Sequence, residues 1–111
     1  RETMKLLHCE RVSFFVYDKR HNMLVLNASN LEQPIRVKSG QGIAGHVFKT
    51  QDTVNIAHCR KDERFDETFD KLTGYHTNTL LTMAVKDSEG ESMGVLQAIN
   101  KKDAPYFSHN D

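Results

Sequence analysis

Short apolar runs broken by polar turns at close intervals are the pattern that most restricts what this chain can fold into. Arg11-Val12-Ser13-Phe14-Phe15-Val16-Tyr17 is rich in β-branched and aromatic residues and reads as a strand. The polar stretch Asp18-Lys19-Arg20-His21-Asn22 then turns the chain into a returning strand, Met23-Leu24-Val25-Leu26-Asn27. A polar loop from Ala28 to Pro34 leads to Ile35-Arg36-Val37-Lys38, which alternates apolar and polar with period two. Thr53-Val54-Asn55-Ile56, Leu80–Val85 and Met93–Asn100 supply three more strands. The last two are joined by the Gly-containing turn Asp87-Ser88-Glu89-Gly90-Glu91. Six strands linked mostly as hairpins or a meander, with helical pattern at the ends and once in the middle, predict an α+β domain built on an antiparallel sheet.

The helical segments are fewer. Thr3-Met4-Lys5-Leu6-Leu7-His8-Cys9 has apolar residues at helical spacing and reads as the tail of a helix. Ser39 to Thr50 opens with glycines and ends as a short amphipathic helix. Arg60 to Tyr75 is dense in charge but carries Phe65, Phe69 and Leu72 at near-helical spacing, as expected for a surface helix or lid lying on a cavity. Ser108, with Asp111 three residues on, resembles a cap that opens another helix. The 111 residues suit one domain. With no initiating Met and an end just after Phe107, the expectation is a single domain over 1–111, cut from a longer protein with its terminal helices truncated at both ends.

Charge and cysteine content narrow the function classes. Fifteen Lys and Arg balance fifteen Asp and Glu, so there is no global field to hold nucleic acid or an anionic membrane. No apolar run is long enough for a spanning helix, and Arg1 to Leu7 lacks the continuous apolar stretch of a signal peptide. Two cysteines are not a disulfide framework; a reduced pair in a cytoplasmic protein is the expectation.

Chemistry-bearing motifs are sparse. His8-Cys9 and His58-Cys59 are adjacent pairs without the spaced partners a zinc site needs, so no metal is expected. No serine lies in a Gly-x-Ser-x-Gly elbow, and neither cysteine has a protease signature, so no catalytic residue is assigned. Gly40-Gln41-Gly42-Ile43-Ala44-Gly45 matches Gly-x-Gly-x-x-Gly, but the parallel βαβ unit of a dinucleotide fold is missing. A glycine turn opening a helix still offers backbone N–H groups to one phosphate, with Asp70, Thr73 and Thr77 of the lid as the facing wall. Asp62, Glu63, Asp66, Glu67 and Asp70 alternate with Lys61, Arg64 and Lys71 and read as a solvated mixed-charge face.

Taken in order, Gly42-Ile43-Ala44-Gly45-His46-Val47, Asn55-Ile56, Asp62-x-Arg64-Phe65 and Thr73-Gly74-Tyr75-x-Thr77 resemble the GAF domains of cyclic nucleotide phosphodiesterases. Asn100-Lys101 followed by Phe107-x-x-x-Asp111 resembles the Asn-Lys…Phe-x-x-x-Asp-Glu signature of GAF domains that bind cyclic nucleotides. The likeness runs from about Glu10 to Asp111. It implies a six-stranded antiparallel sheet with helices on one side and a nucleotide under a lid on the other.

The resemblance also implies roles. Ser13 would lie beneath the base, and Ile43 and Ala44 would present N–H groups to the cyclic phosphate. Asp70, Thr73 and Thr77 match lid residues that contact base, ribose or phosphate, and Gln97 matches a polar position on the pocket floor. Ser29 and Asn30 stand where the family often has a Phe-Asp pair beside the base, which removes an aromatic stacking partner. Asn78-Thr79 departs from a common Arg-Asn. Asn100, Lys101, Phe107 and Asp111 would be structural, with Lys101 and Asp111 forming a salt bridge away from the ligand.

The implied function is a regulatory module that binds cAMP or cGMP, with cAMP favoured on the Gln97 position, and signals to a catalytic domain of the same chain. That domain would be a cyclic nucleotide phosphodiesterase, with any divalent metals confined to it. The module itself would hydrolyse nothing and would form a homodimer through its terminal helices. A rival is a GAF domain that binds no ligand and serves dimerisation only. Another is a free-standing methionine sulfoxide reductase using Cys9 or Cys59.

Overall fold

The computed structural model describes residues 9–27, 31–74 and 76–101. Six strands form one sheet: β1 (Cys9–Asp18), β2 (Met23–Leu26), β3 (Ile35–Lys38), β4 (Val54–Ile56), β5 (Leu80–Lys86) and β6 (Ser92–Lys101). Their order across the sheet is β3-β2-β1-β6-β5-β4, and every neighbouring pair is antiparallel. The architecture is therefore the expected α+β one. Helix α1 (Gly42–Thr50) connects β3 to β4. A 3-10 turn (Cys59–Lys61) and the short helix α2 (Thr68–Thr73) lie between β4 and β5. The expected helix over Thr3–Cys9 lies outside the described residues except for Cys9, which opens β1; the cap at Ser108 lies outside them entirely.

Alternation along the strands explains why one face is covered. Phe15, Leu24, Leu26, Ile35, Leu80, Val95 and Ile99 are buried in one cluster with Ile43, Ala44 and Val47 of α1. A smaller cluster of Cys9, Leu81 and Ala98, with Val12 and Met83 against it, occupies the opposite face. The larger cluster is the core, and α1 presses it onto the middle of the sheet.

Arg60 to Tyr75 is not one continuous helix. The Asp62 carboxylate accepts the backbone N–H of Arg64 at 2.9 Å, and Asp66 accepts that of Thr68 at 2.9 Å. Such local side-chain bonds compete with helical pairing and favour turns. Phe65 packs against the core, whereas Leu72 is exposed.

Candidate functional site

A cavity of about 70 Å³ opens between α1, the segment after the 3-10 turn and the pocket-side face of the sheet. One water needs roughly 10–15 Å³ on the same measure, so the space has room for several waters. Phe15, Leu80 and Gln97 form its floor from β1, β5 and β6, and Ile35 to Val37 of β3 form one side. The start of α1, Gln41 to Ala44, faces Phe65, Asp66, Thr68 and Thr77 across the mouth.

Two glycines determine how α1 begins. Gly42 has φ +66, a left-handed conformation that side-chain-bearing residues adopt only with strain. At Gly45, a Cβ would lie 2.5 Å from the Lys38 carbonyl oxygen, so only glycine lets the helix approach the end of β3 this closely. The first intrahelical bond runs from the Gly45 N–H to the Gln41 carbonyl at 3.0 Å. The N–H groups of Gly42, Ile43 and Ala44 therefore precede the helical ladder, as first-turn amides do. The N-cap residue Gln41 gives them no side-chain cap bond. They carry the positive end of the helix dipole at the edge of the cavity, a setting suited to an anion.

Asp66 stands close to that end. Its Cβ would be 3.4 Å from a Cβ placed on Gly42, and Gln41 Nε2 donates to its Oδ2 at 3.4 Å. Hydrogen bonds from the Thr68 side chain and backbone hold the Asp66 carboxyl below the usual carboxylate range. The expected solvated face thus contributes one wall of the cavity, because the turn at Asp66 bends the chain back over α1.

Asp70 and Thr77 form a buried unit beside the cavity. The Asp70 carboxylate accepts the Thr77 N–H at 2.8 Å and its hydroxyl at 2.6 Å. Arg60 Nη2 donates to Asp70 Oδ2 at 2.6 Å, and the Arg60 guanidinium carbon lies 5.6 Å from the centre of the Phe65 ring. Thr77 lines the cavity; the Asp70 carboxylate stands behind it. Thr73 ends α2, away from the cavity lining.

The structure thus brings Ile43, Ala44, Thr77 and Gln97 together on one cavity. Ser13 is buried on the same sheet face and pairs with Gln97 across β1 and β6. Ser29, Asn30, Phe107 and Asp111 lie outside the described residues, as does the Lys101 side chain. Asn100 is a hub: its Oδ1 accepts from Asn78 N at 2.7 Å and Thr79 N at 3.2 Å, and its Nδ2 donates to the His76 carbonyl at 2.8 Å. Sequence reading did not single out Phe15, Arg36, Gln41, Asp66 or Thr68 as lining. Of these, Gln41 carried a signal, because it lies inside the glycine turn.

Cys59 is fully buried, and burial together with the charges of Asp62 and Asp70 pushes its thiol up to about 12. A thiol held protonated at neutral pH is a poor nucleophile. Among the described residues no group of three or more His, Cys, Asp or Glu is placed to hold a metal ion, and no helix is long and apolar enough to cross a membrane.

The family model of the GAF domain matches residues 1–111, and the chain belongs to that family. It is 48% identical over 80 residues to the "Dual 3',5'-cyclic-AMP and -GMP phosphodiesterase 11" of Drosophila melanogaster, covering 72% of this chain and 6% of that protein. It is 42% identical over 96 residues to the "Dual 3',5'-cyclic-AMP and -GMP phosphodiesterase 11A" of Takifugu rubripes, covering 86% of this chain and 10% of that protein. The chain thus spans a small part of these relatives. Among solved structures, the GAF domain of a phosphoenolpyruvate-protein phosphotransferase from Coxiella burnetii superposes with a TM-score of 0.79 at 21% identity, covering 96% of this chain and 65% of that one. That likeness speaks for the fold.

Proposed function

We propose that this GAF domain is a regulatory sensor that binds a cyclic nucleotide, cAMP ahead of cGMP, and controls the catalytic domain of a parent 3',5'-cyclic nucleotide phosphodiesterase. The observation that carries this reading is the convergence of the unladdered amides of Ile43 and Ala44, the hydroxyl-bearing Thr77 and the amide of Gln97 on one cavity. Backbone amides at a helix start suit one phosphate. Apolar walls from Phe15, Ile35, Phe65 and Leu80 suit a flat base. Similarity to proteins named as dual 3',5'-cyclic-AMP and -GMP phosphodiesterases supports a parent of that class. The resemblance of the Gln97 position to cAMP-binding relatives gives cAMP a small lead, although an amide can present a donor or an acceptor to either purine.

The segment from Arg60 to Thr77 would close on the ligand, and that differential contact is what a switch between two states requires. Joining of two copies would pass the change to the catalytic domain, in a protein of the cytoplasm. A second reading, a ligand-free dimerisation module, draws on Asp70, whose carboxylate is already engaged by Arg60 and Thr77.

Isothermal calorimetry with cAMP and then cGMP decides between them. Binding at micromolar strength or better, lost in Thr77→Ala while the variant remains folded, supports the sensor. No heat and no thermal shift with either nucleotide, from a folded and nucleotide-free sample, supports the dimerisation module.

A further inference from the structure

Ser13, Gln97 and Thr82 are direct cross-strand partners on β1, β6 and β5, so their side chains share one face of the sheet. It is the face that carries Phe15, Leu80 and the cavity. All three are at most 9% exposed. The rows on either side are Phe15-Val95-Ala84 and Arg11-Ile99-Leu80-Ile56 in register. Gln97 and Thr82 are therefore flanked on their own strands by Val95, Ile99, Leu80 and Ala84, where packing alone would favour valine or isoleucine. The outer end of the polar row is Val54, paired with Thr82. The Thr82 hydroxyl has no hydrogen-bond partner among the described residues, although the residue is fully buried. Leaving a buried hydroxyl unmade is destabilising, so its retention directly beside Gln97, which lines the cavity floor, points to a partner acquired on binding.

We propose that Thr82 is a positioning residue for Gln97, and that the hydroxyls of Thr82 and Ser13 let the Gln97 amide turn either end to a purine. This rests on the reading of the cavity as a cyclic-nucleotide site. A glutamine amide presents a donor or an acceptor according to its flip. Whichever end faces the ligand, the other end needs a partner. A carboxylate or a backbone N–H beside it would fix the flip, since each has one sense only. A hydroxyl carries one donor and two acceptor lone pairs and rotates to suit. Cross-strand Cβ atoms stand about 4.5–5.5 Å apart, within reach of a glutamine amide and a threonine hydroxyl. Val95, Ala84, Ile99 and Leu80, which flank Gln97 and Thr82 on their own strands, offer no competing side-chain donor or acceptor. The floor thus meets the amino edge of adenine with the amide oxygen and the O6 edge of guanine with the amide nitrogen, and discriminates weakly between them.

The test is calorimetric titration of the wild type, Thr82→Val and Thr82→Ser with cAMP and cGMP, together with melting curves without nucleotide. Thr82→Val keeps the shape and removes the hydroxyl. The wild type is expected to bind both nucleotides within about tenfold of each other. Thr82→Val is expected to melt no lower than the wild type without nucleotide, yet to bind both about fivefold more weakly, the loss of one ordinary hydrogen bond. Thr82→Ser, which retains the rotor, should restore most of that affinity.

A preference well beyond about tenfold in the wild type overturns the inference and leaves the sensor reading intact. Unchanged affinities in Thr82→Val overturn it also; if that variant melts lower as well, the hydroxyl is structural. A loss in Thr82→Ser equal to that in Thr82→Val assigns the effect to packing and overturns it again. No binding of either nucleotide by the wild type overturns the sensor reading and the inference together.

Discussion

Asp70 accepts both the backbone N–H and the hydroxyl of Thr77, at 2.8 and 2.6 Å, from a position only 7% exposed. Two bonds to one residue fix its backbone and its rotamer together, so the wall of the cavity at Thr77 is set by α2 behind it. Replacing Thr77 by Val removes one bond to a charged group and leaves a buried carboxylate oxygen short of a donor. The expected cost is about 1.5–3 kcal/mol, read as a lower midpoint in urea with unchanged slope. Arg60→Gln weakens the third contact to the same carboxylate. Because the Arg60 side chain is 35% exposed, its effect should be smaller, about 1 kcal/mol.

Cys59 makes stability fall at alkaline pH. Its thiol is raised by burial from an ordinary value near 9 to about 12. Below pH 9 the thiol is protonated in both states and contributes nothing to pH dependence. Between pH 9 and 12 the unfolded chain releases its proton while the folded chain holds it, so unfolding gains about 1.4 kcal/mol per pH unit. Stability measured by urea unfolding should fall over that window more steeply than in Cys59→Ala, where the lysine and tyrosine titrations remain. A thiol reagent at pH 8 should leave Cys59 unmodified until the protein unfolds. Rapid labelling of Cys59 in the folded state would contradict this and would reopen the reductase alternative.

Gly45→Ala tests how closely α1 must approach the sheet. The added Cβ meets the Lys38 carbonyl at 2.5 Å and the Gly40 nitrogen at 3.0 Å. Both are backbone atoms, which move only if the β3–α1 turn moves. Overpacking of this kind costs about 1–3 kcal/mol. Since the turn also places the amides of Ile43 and Ala44, nucleotide affinity should fall by more than in a control such as Lys86→Ala at the end of β5. Equal affinities in the two variants, measured at a temperature where both are folded, would detach the turn from binding.

Much of the fold is legible from alternation because burial is one-sided. Ile35 is buried and its neighbour Arg36 exposed, and that period-two pattern cannot be satisfied by a helix. The stretch from Arg60 to Tyr75 is not legible in the same way. Its apolar spacing is nearly helical, but Asp62 and Asp66 bond backbone N–H groups two residues on and divide it into turns. In the site, the glycines announce the start of α1, and the resemblance locates Thr77 and Gln97. Asp66 and Arg36 carry no such mark, since a charge among charges does not show which one borders a cavity. Thr82 is hidden for a different reason. Threonine is an ordinary strand residue, and only the register beside Gln97 shows that its hydroxyl is enclosed.

Asn100 ties the last strand to the segment that carries Thr77. It adopts φ +58, and its side chain bonds the backbone of His76, Asn78 and Thr79 as well as Glu10 Oε1 at 2.9 Å. Two separate penalties follow for Asn100→Ala: the left-handed backbone becomes strained by about 1–2 kcal/mol, and the bonds to residues 76–79 are lost. Asn100→Gly removes the same bonds without the strain. The two variants should therefore differ by roughly 1 kcal/mol in stability while losing nucleotide affinity to the same extent, because both release the backbone on either side of Thr77. Equal stability would show that the strain is relieved elsewhere. Retention of full affinity in both would show that the Asp70 bonds alone suffice to hold Thr77 at the cavity wall.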